Sequence, residues 1–412
     1  MPNRTTVTSS PLPLSISLPP PVSLRLSSSL LAVSLCSFAA LCVLLHAPMA
    51  DLLVYRAEGE AVVHGGDLYG FTVTEWRLPA TYPPFAAVLF VPTTWIPVPA
   101  LKVAFLAGNA LLLACLVALS ARLAGRPLPL APLCAATALG LWLEPVFQTV
   151  LFGQINLAVA CLVLWDLTRP PGAPAKGLAL GIAAGVKLTP AIFIAYLFLT
   201  ARRKEAGVAT ASFVGTALLG ALLLPPASVD FWTRRLFETG RVGKAWIVDN
   251  QSLQGLVARA LGAEAPGLVW SLPAAGLAAA GLWLATRARH VNGDRWGVLL
   301  TAFTALLVCP ISWSHHWVWC VPLLAVLLAD RRPALALTTA ALFTARTMWL
   351  LPHEGDRDLR LPWWQQPFAS PYPLLGLALL AGAAVALRRH GRALRSGGPQ
   401  LSARISSASM IR

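Results

Sequence analysis

Charge is scarce in this sequence: Asp, Glu, Lys and Arg together make up 12% of 412 residues, whereas 57% are hydrophobic. So few polar groups cannot cover a soluble core built from so much apolar surface, which excludes an ordinary globular domain and makes the bilayer the main solvent. Closely spaced cysteines are missing too. Cys36, Cys42, Cys115, Cys134, Cys161 and Cys309 lie inside apolar runs, Cys320 lies in an apolar stretch, and no pair has CxxC spacing. Neither a zinc site nor a disulfide framework is indicated. The net charge of +15 would suit a nucleic-acid partner. The basic residues, however, sit in short clusters at the ends of apolar runs, where the positive-inside rule places them, so no nucleic-acid partner is expected.

What is present is a long series of apolar runs. Residues 1–23 are rich in Ser, Thr and Pro, and Pro19, Pro20 and Pro21 cannot continue a helix, so a disordered cytoplasmic tail is expected there. The run from Leu24 to about His46 is longer than a signal-peptide core and suits a retained span. Further runs near 83–98, 100–121, 129–147, 154–168, 177–200, 206–225, 266–286, 296–311, 316–329, 333–351 and 371–387 predict an all-α polytopic membrane protein of about twelve spans. The expected membrane domain covers 24–390, and a basic cytoplasmic tail follows over 391–412. Clusters at Arg202–Lys204, Arg287–Arg295, Arg331–Arg332 and Arg388–Arg395 put both termini in the cytoplasm. A strict twelve-span count would turn Arg122, Arg126, Arg169 and Lys176 outward, against the rule. The proline-interrupted runs at 83–98 and 177–200 are therefore expected to include re-entrant or broken helices.

Chemistry has room in three polar stretches on the outer side, 47–82, 226–265 and 351–370. The first holds five of the chain's 17 acidic residues: Asp51, Glu58, Glu60, Asp67 and Glu75. Asp51 directly follows the first span, where partial desolvation raises a carboxylate toward the working range of a general base; an ordinary interfacial acid is the plainer reading. Asp51, Val54, Tyr55 and Glu58 share one helical face. His64, Gly65, Gly66 and Asp67 predict a turn, and Tyr82, Pro83 and Pro84 an extended lead-in to the next run. Gln154 and Asn156 place two carboxamides in apolar surroundings and need partners in the bundle or a wet cavity. Lys187, between Gly185 and Pro190, is a lone cation suited to a phosphate or to snorkelling. His315 and His316 have no third ligand at metal spacing, so hydrogen bonding to phosphate or proton exchange is expected of them instead. Arg234, Arg235, Arg241, Lys244 and Arg259 crowd an outer loop, which suggests an anionic ligand, and Asn250, Gln251 and Ser252 beside them are read as polar contacts.

Taken in order, Asp51 to Tyr55, Gly65 with Tyr69, Tyr82-Pro83-Pro84, Gly153-Gln154-Ile155-Asn156, Lys187 with Pro190, Asn250-Gln251-Ser252 with Gly255, and Ser312-Trp313-Ser314-His315-His316 resemble glycosyltransferase family 87 over roughly residues 24–390. The resemblance implies a GT-C type bundle with a catalytic first outer loop. It implies an inverting enzyme that moves mannose, or in some members arabinose, from a polyprenyl-phosphate sugar to a cell-envelope glycolipid or lipoglycan, with no nucleotide donor; no cofactor is expected. On this sequence Asp51 would be the general base. His315, His316, Lys187 and Arg241 would meet the donor phosphate, and Tyr55, Glu58, Tyr82, Gln154, Asn156, Asn250 and Gln251 would line the substrate site. A transporter or lipid flippase is the alternative that a many-span chain also suits, although no clear inverted repeat is visible.

Overall fold

The computed structural model describes residues 23–396. The N-terminal tail expected over 1–23 therefore lies outside the described residues except for Ser23, as does the expected C-terminal tail beyond Ser396.

Helices dominate because apolar runs in lipid must satisfy every backbone group internally. In chain order they are α1 (Leu24–Leu44), α2 (Ala50–His64), α3 (Pro84–Phe90), α4 (Val98–Leu123), α5 (Leu130–Gly140), α6 (Glu144–Phe152), α7 (Asn156–Leu167), α8 (Leu178–Val186) and α9 (Ala191–Leu199). There follow α10 (Arg203–Leu223), α11 (Pro225–Asp230), α12 (Leu253–Leu261), α13 (Leu268–Asn292), α14 (Asp294–Val308), α15 (Cys320–Ala329), α16 (Pro333–Ala345), α17 (Gln366–Ala369) and α18 (Pro371–Ser396). Proline opens α3, α4, α6 and α16 in the first turn, where its missing N–H costs nothing. The one sheet among the described residues is a two-stranded hairpin in the first outer loop, Thr72–Val73 paired antiparallel with Leu78–Pro79.

Five helices, α1, α4, α10, α13 and α18, are long and apolar enough to cross a membrane. Two bent pairs, one of them α5 with α6 at 76°, raise the number to seven if each counts as one span. The expected count of about twelve is not confirmed, because several of the predicted runs fold as shorter helices: α7 has 12 residues, α14 has 15 and α15 has 10. Leucines such as Leu111, Leu222 and Leu272 point outward from α4, α10 and α13, a surface that suits hydrocarbon and not water.

The run at 177–200 is split at Lys187, and its two halves turn back on themselves. Before α8, Lys176 pairs with Glu205 at 3.5 Å. After α9, Arg202 contacts the same Glu205 at 3.8 Å and Asp294 at 3.1 Å. The start of α8 and the end of α9 therefore both sit at the N-terminal end of α10, and Lys187 is the tip of a helical hairpin. Arg289 pairs with Asp294, and Arg169 with Asp166, whose carboxylate also accepts the N–H of Gly177. Arg169, Lys176, Arg202 and Arg289 thus share one end of the bundle. At the other end Lys102, near the start of α4, donates to the carbonyl of Ala47 just before α2, so the 26-residue α4 carries Arg122 away from α2. Because 177–200 turns back on itself, Arg169 and Lys176 lie at the same end of the bundle as Arg202 and Arg289.

Candidate active site

Helix α2 presents the first-loop residues. It ends at Gly65, whose φ of 66° is the left-handed cap that the His64-Gly65-Gly66 turn predicts. The chain then returns through Tyr82 and the extended Pro83 to α3. Tyr55, one turn beyond Asp51, is buried and donates to Oε1 of Gln154 at 2.9 Å, with its hydroxyl 3.1 Å from that of Tyr82. Tyr82 donates to the same Gln154 oxygen at 3.2 Å. Gln154 reaches this position from the break between α6 and α7. There Gly153 has φ 69°, and a Cβ on it would stand 2.8 Å from Cβ of Leu52. Only glycine allows α2 to pack this closely on the turn.

Lys187 joins the same network from the tip of the hairpin. Its Nζ lies 2.8 Å from Oδ1 of Asn156, 3.0 Å from Nε2 of His316 and 3.4 Å from the Tyr82 hydroxyl. The ammonium has donors only, so Nε2 of His316 accepts from it. Asn156 donates in turn to the His315 carbonyl at 3.0 Å, which Thr149 also reaches at 3.0 Å. The His315 ring is buried edge-on to Phe152, neither of its nitrogens is hydrogen-bonded, and it stands 4.9 Å from the His316 ring.

Asp51 is half-buried and feels the charge of Lys187. Burial pushes its carboxyl up to about 6, against the pull of the Gln154 amide and the Lys187 charge, with Asp249 adding a further push upward. The pKa of a base that works near neutrality falls in this range. Asp51, Tyr55, Tyr82, Gln154, Asn156, Lys187 and His316, seven of the sequence-derived candidates, are thereby linked through hydrogen bonds or charge.

Of the remaining candidates, His315 adjoins the network through its carbonyl and not its ring, and the other four lie elsewhere. Glu58 is on α2 two turns from Asp51, deeply buried under the first loop. Arg241 donates to the carbonyl of Ala80 and lies 5.5 Å over the Tyr69 ring, sharing no hydrogen-bond partner with Lys187 or His316. Asn250 and Gln251 are buried frame residues. Asn250 donates to the carbonyls of Ala245 and Pro310 and accepts from the N–H groups of Ser252 and Ser312. Gln251 donates to Val248 and Ala369 and accepts from Tyr372 N–H. Their amides are spent holding the loop against the 310–314 turn.

The basic loop also reads differently in three dimensions. Arg234 and Arg235 pair with Asp230 and Glu238, Lys244 pairs with Asp356, and Arg259 is buried with its guanidinium on the carbonyls of Trp246, Ile247 and Asn250 and on the Ser370 hydroxyl. These four answer to internal partners, which removes them from the expected reserve for an anionic ligand.

Asp249 was passed over in the sequence reading. It is half-buried, accepts the Ser314 N–H at 3.0 Å beside the histidines, and its charge reaches Asp51. Burial holds its carboxyl above the usual range while Ser314 draws it down. Its only linear signal is its place directly before Asn250-Gln251-Ser252. Glu144 was also missed: it is fully buried and receives hydrogen bonds from Tyr372 at 2.6 Å and Trp349 at 2.9 Å.

This helical bundle, with a carboxylate, a lysine and a histidine gathered at the end of an apolar crevice, defines a multi-pass membrane protein. The chain belongs to glycosyltransferase family 87, whose sequence model matches residues 80–310. It is 35% identical over 369 residues, 82% of this chain and 85% of the relative, to a polyprenol-phosphate-mannose-dependent alpha-(1-2)-phosphatidylinositol mannoside mannosyltransferase of Mycobacterium tuberculosis. The like-named protein of Mycolicibacterium smegmatis is 34% identical, with 80% and 82% covered. A polyprenol-phosphate-mannose-dependent alpha-(1-2)-phosphatidylinositol pentamannoside mannosyltransferase of M. tuberculosis is 36% identical over 297 residues, with 70% and 68% covered. No solved structure matches the chain.

Proposed function

We propose that this protein transfers mannose from polyprenyl-phosphate-mannose to a hydroxyl of a phosphatidylinositol-mannoside-like glycolipid, with inversion, at the extracytoplasmic face of a bacterial plasma membrane. The names of the relatives favour mannose over arabinose, and taking the basic end of the bundle as cytoplasmic puts α2 on the opposite, outer side. The bundle is read as the GT-C type.

The observation that carries the proposal is the convergence of Asp51 and Lys187 on Gln154, Tyr82 and Asn156. In this reading Asp51 removes the acceptor proton as the hydroxyl oxygen bonds to the anomeric carbon, and the bond from that carbon to the phosphate oxygen breaks on the opposite face. The electron pair leaves with polyprenyl phosphate, whose new charge meets Lys187 and His316. A phosphate is already a stable leaving group, so it needs positive charge and donors more than an acid. A crevice runs from Lys187, His316 and Asn156 along Val159, Val163, Phe193, Ala302 and Leu306, apolar walls suited to the first isoprene units of the donor.

Asp51→Asn is expected to abolish transfer from labelled polyprenyl-phosphate-mannose in membranes while the protein still accumulates. Near-normal transfer by this variant would remove Asp51 from the role of base. Parallel assays with the arabinose donor separate the two sugars.

A further inference from the structure

Glu58 is a group that the mechanism above does not use. It is 1% exposed, and neither carboxyl oxygen makes a well-formed hydrogen bond, although the backbone amide of Thr81 lies near enough to act on it. Leaving a buried carboxyl without partners costs free energy, which a fold keeps only when something else supplies the partner. Arg241 is the nearby cation. One of its terminal nitrogens is held by Ala80, its plane lies over the Tyr69 ring, and its buried Nε has no acceptor. The Tyr69 hydroxyl donates to the Tyr82 carbonyl at 2.8 Å and fixes that ring beside the residue whose own hydroxyl reaches Lys187. The two groups meet adjacent residues of the first outer loop, the Glu58 carboxyl near the Thr81 amide and the Arg241 guanidinium on the Ala80 carbonyl and over the Tyr69 ring.

We infer that Glu58 and Arg241 form a subsite for the acceptor sugar, in which adjacent ring hydroxyls of a hexose bridge the Glu58 carboxyl and the Arg241 Nε–H beside the Tyr69 ring. A vicinal diol offers a donor and an acceptor side by side, the complement of this pair. Burial pushes the Glu58 carboxyl up to about 8, so near neutrality it holds a proton and both gives and takes a hydrogen bond. Two turns of α2 separate Glu58 from Asp51, about 10 Å along the axis, so a sugar held at Glu58 lies one ring or more from the hydroxyl at Asp51. The subsite rests on the reading of Asp51 and Lys187 given above, and it moves Arg241 from the donor phosphate to the acceptor.

The test uses the full chain purified in detergent, labelled polyprenyl-phosphate-mannose, and an octyl mannobioside with its monodeoxy analogues as acceptors. Glu58→Met and Arg241→Met are expected to raise the acceptor KM by about ten- to a hundredfold, the cost of a charge-assisted hydrogen bond, and to leave the donor KM unchanged. One monodeoxy acceptor that the wild type uses poorly should be used equally by wild type and Glu58→Met. A raised donor KM with an unaltered acceptor KM overturns the subsite, as does a wild type indifferent to the loss of every single hydroxyl, a result that needs no variant to fold. Binding of the octyl mannobioside alone, followed by its saturation-transfer NMR signal, tests the subsite apart from the reaction. If the wild type moves no mannose but binds the mannobioside through Glu58, the donor assignment fails and the subsite stands; loss of this dependence on Glu58 removes the subsite alone.

Discussion

The ammonium of Lys187 lies 3.0 Å from Nε2 of His316, although 129 positions separate the two residues in the chain. The contact joins the tip of the α8–α9 hairpin to the turn before α15, and Asn156 at the head of α7 completes it. Three helix ends thus supply one cationic corner. Helix breaks are what make this possible, since a residue within a regular helix would have its backbone groups committed and its side chain confined to one face.

Replacing Lys187 by Met is expected to reduce kcat/KM by about a hundred- to a thousandfold, the scale for removing one preorganised donor at a developing anion. Lys187→Arg should rescue little, because a planar fork does not fit the three contacts of a compact ammonium. Steady-state transfer with varied donor checks both.

The rate should depend on pH through Asp51. A base must be unprotonated, and its pKa is raised to about 6, so transfer is expected to fall as pH drops through 6 and to level off above 7. A profile flat from pH 5 to 8 would argue against Asp51 as the group that takes the proton.

Glu58 should couple stability to pH in the opposite sense to an ion-paired acid. Its folded-state pKa of about 8 lies above the unfolded value, so the folded state binds the proton more tightly, and that stabilisation is lost as pH rises through 8. The melting temperature of Glu58→Gln relative to wild type should accordingly increase between pH 5 and 9, as read by thermal unfolding in detergent.

Gly153→Ala is expected to destabilise the fold by about 1–3 kcal/mol, because a side chain at this positive φ is strained and the added Cβ meets Leu52. Transfer should fall more than stability does, since Gln154 moves with the turn. Comparing the thermal midpoint with the rate in one preparation separates the two effects.

Asp166→Ala should act at a distance. Its carboxylate accepts the N–H groups of Gly177 and Leu180 and so caps α8, and losing such a cap costs about 1 kcal/mol. As α8 carries Lys187, the variant is expected to raise the donor KM while leaving the acceptor KM as it was.

Much of the candidate site was legible in the linear chain because membrane sequences make polar residues conspicuous. Gln154, Asn156 and Lys187 stand out from apolar neighbours, and Asp51, Tyr55 and Glu58 recur at helical spacing, as α2 confirms. Asp249 and Glu144 were not visible in the same way. Asp249 matters through Ser314, and Glu144 through Tyr372 and Trp349, residues distant in sequence that no period announces. The basic loop misled for a related reason: Arg259 and Lys244 look unpaired along the chain, and their partners come from Ser370 and Asp356.

The amino-acid sequence by itself determined that this protein lives in lipid, that several of its helices start at proline and stop at glycine, and which polar residues stand out from apolar runs, because hydrophobicity and local backbone preference act between near neighbours. Only the tertiary structure decided that residues 177–200 turn back at Lys187, that Asn250 and Gln251 hold the frame, and that Arg241 lies on Ala80 and Tyr69 and not beside Lys187. Those outcomes depend on which distant group reaches each donor or charge first once the helices pack, and that competition is settled in three dimensions.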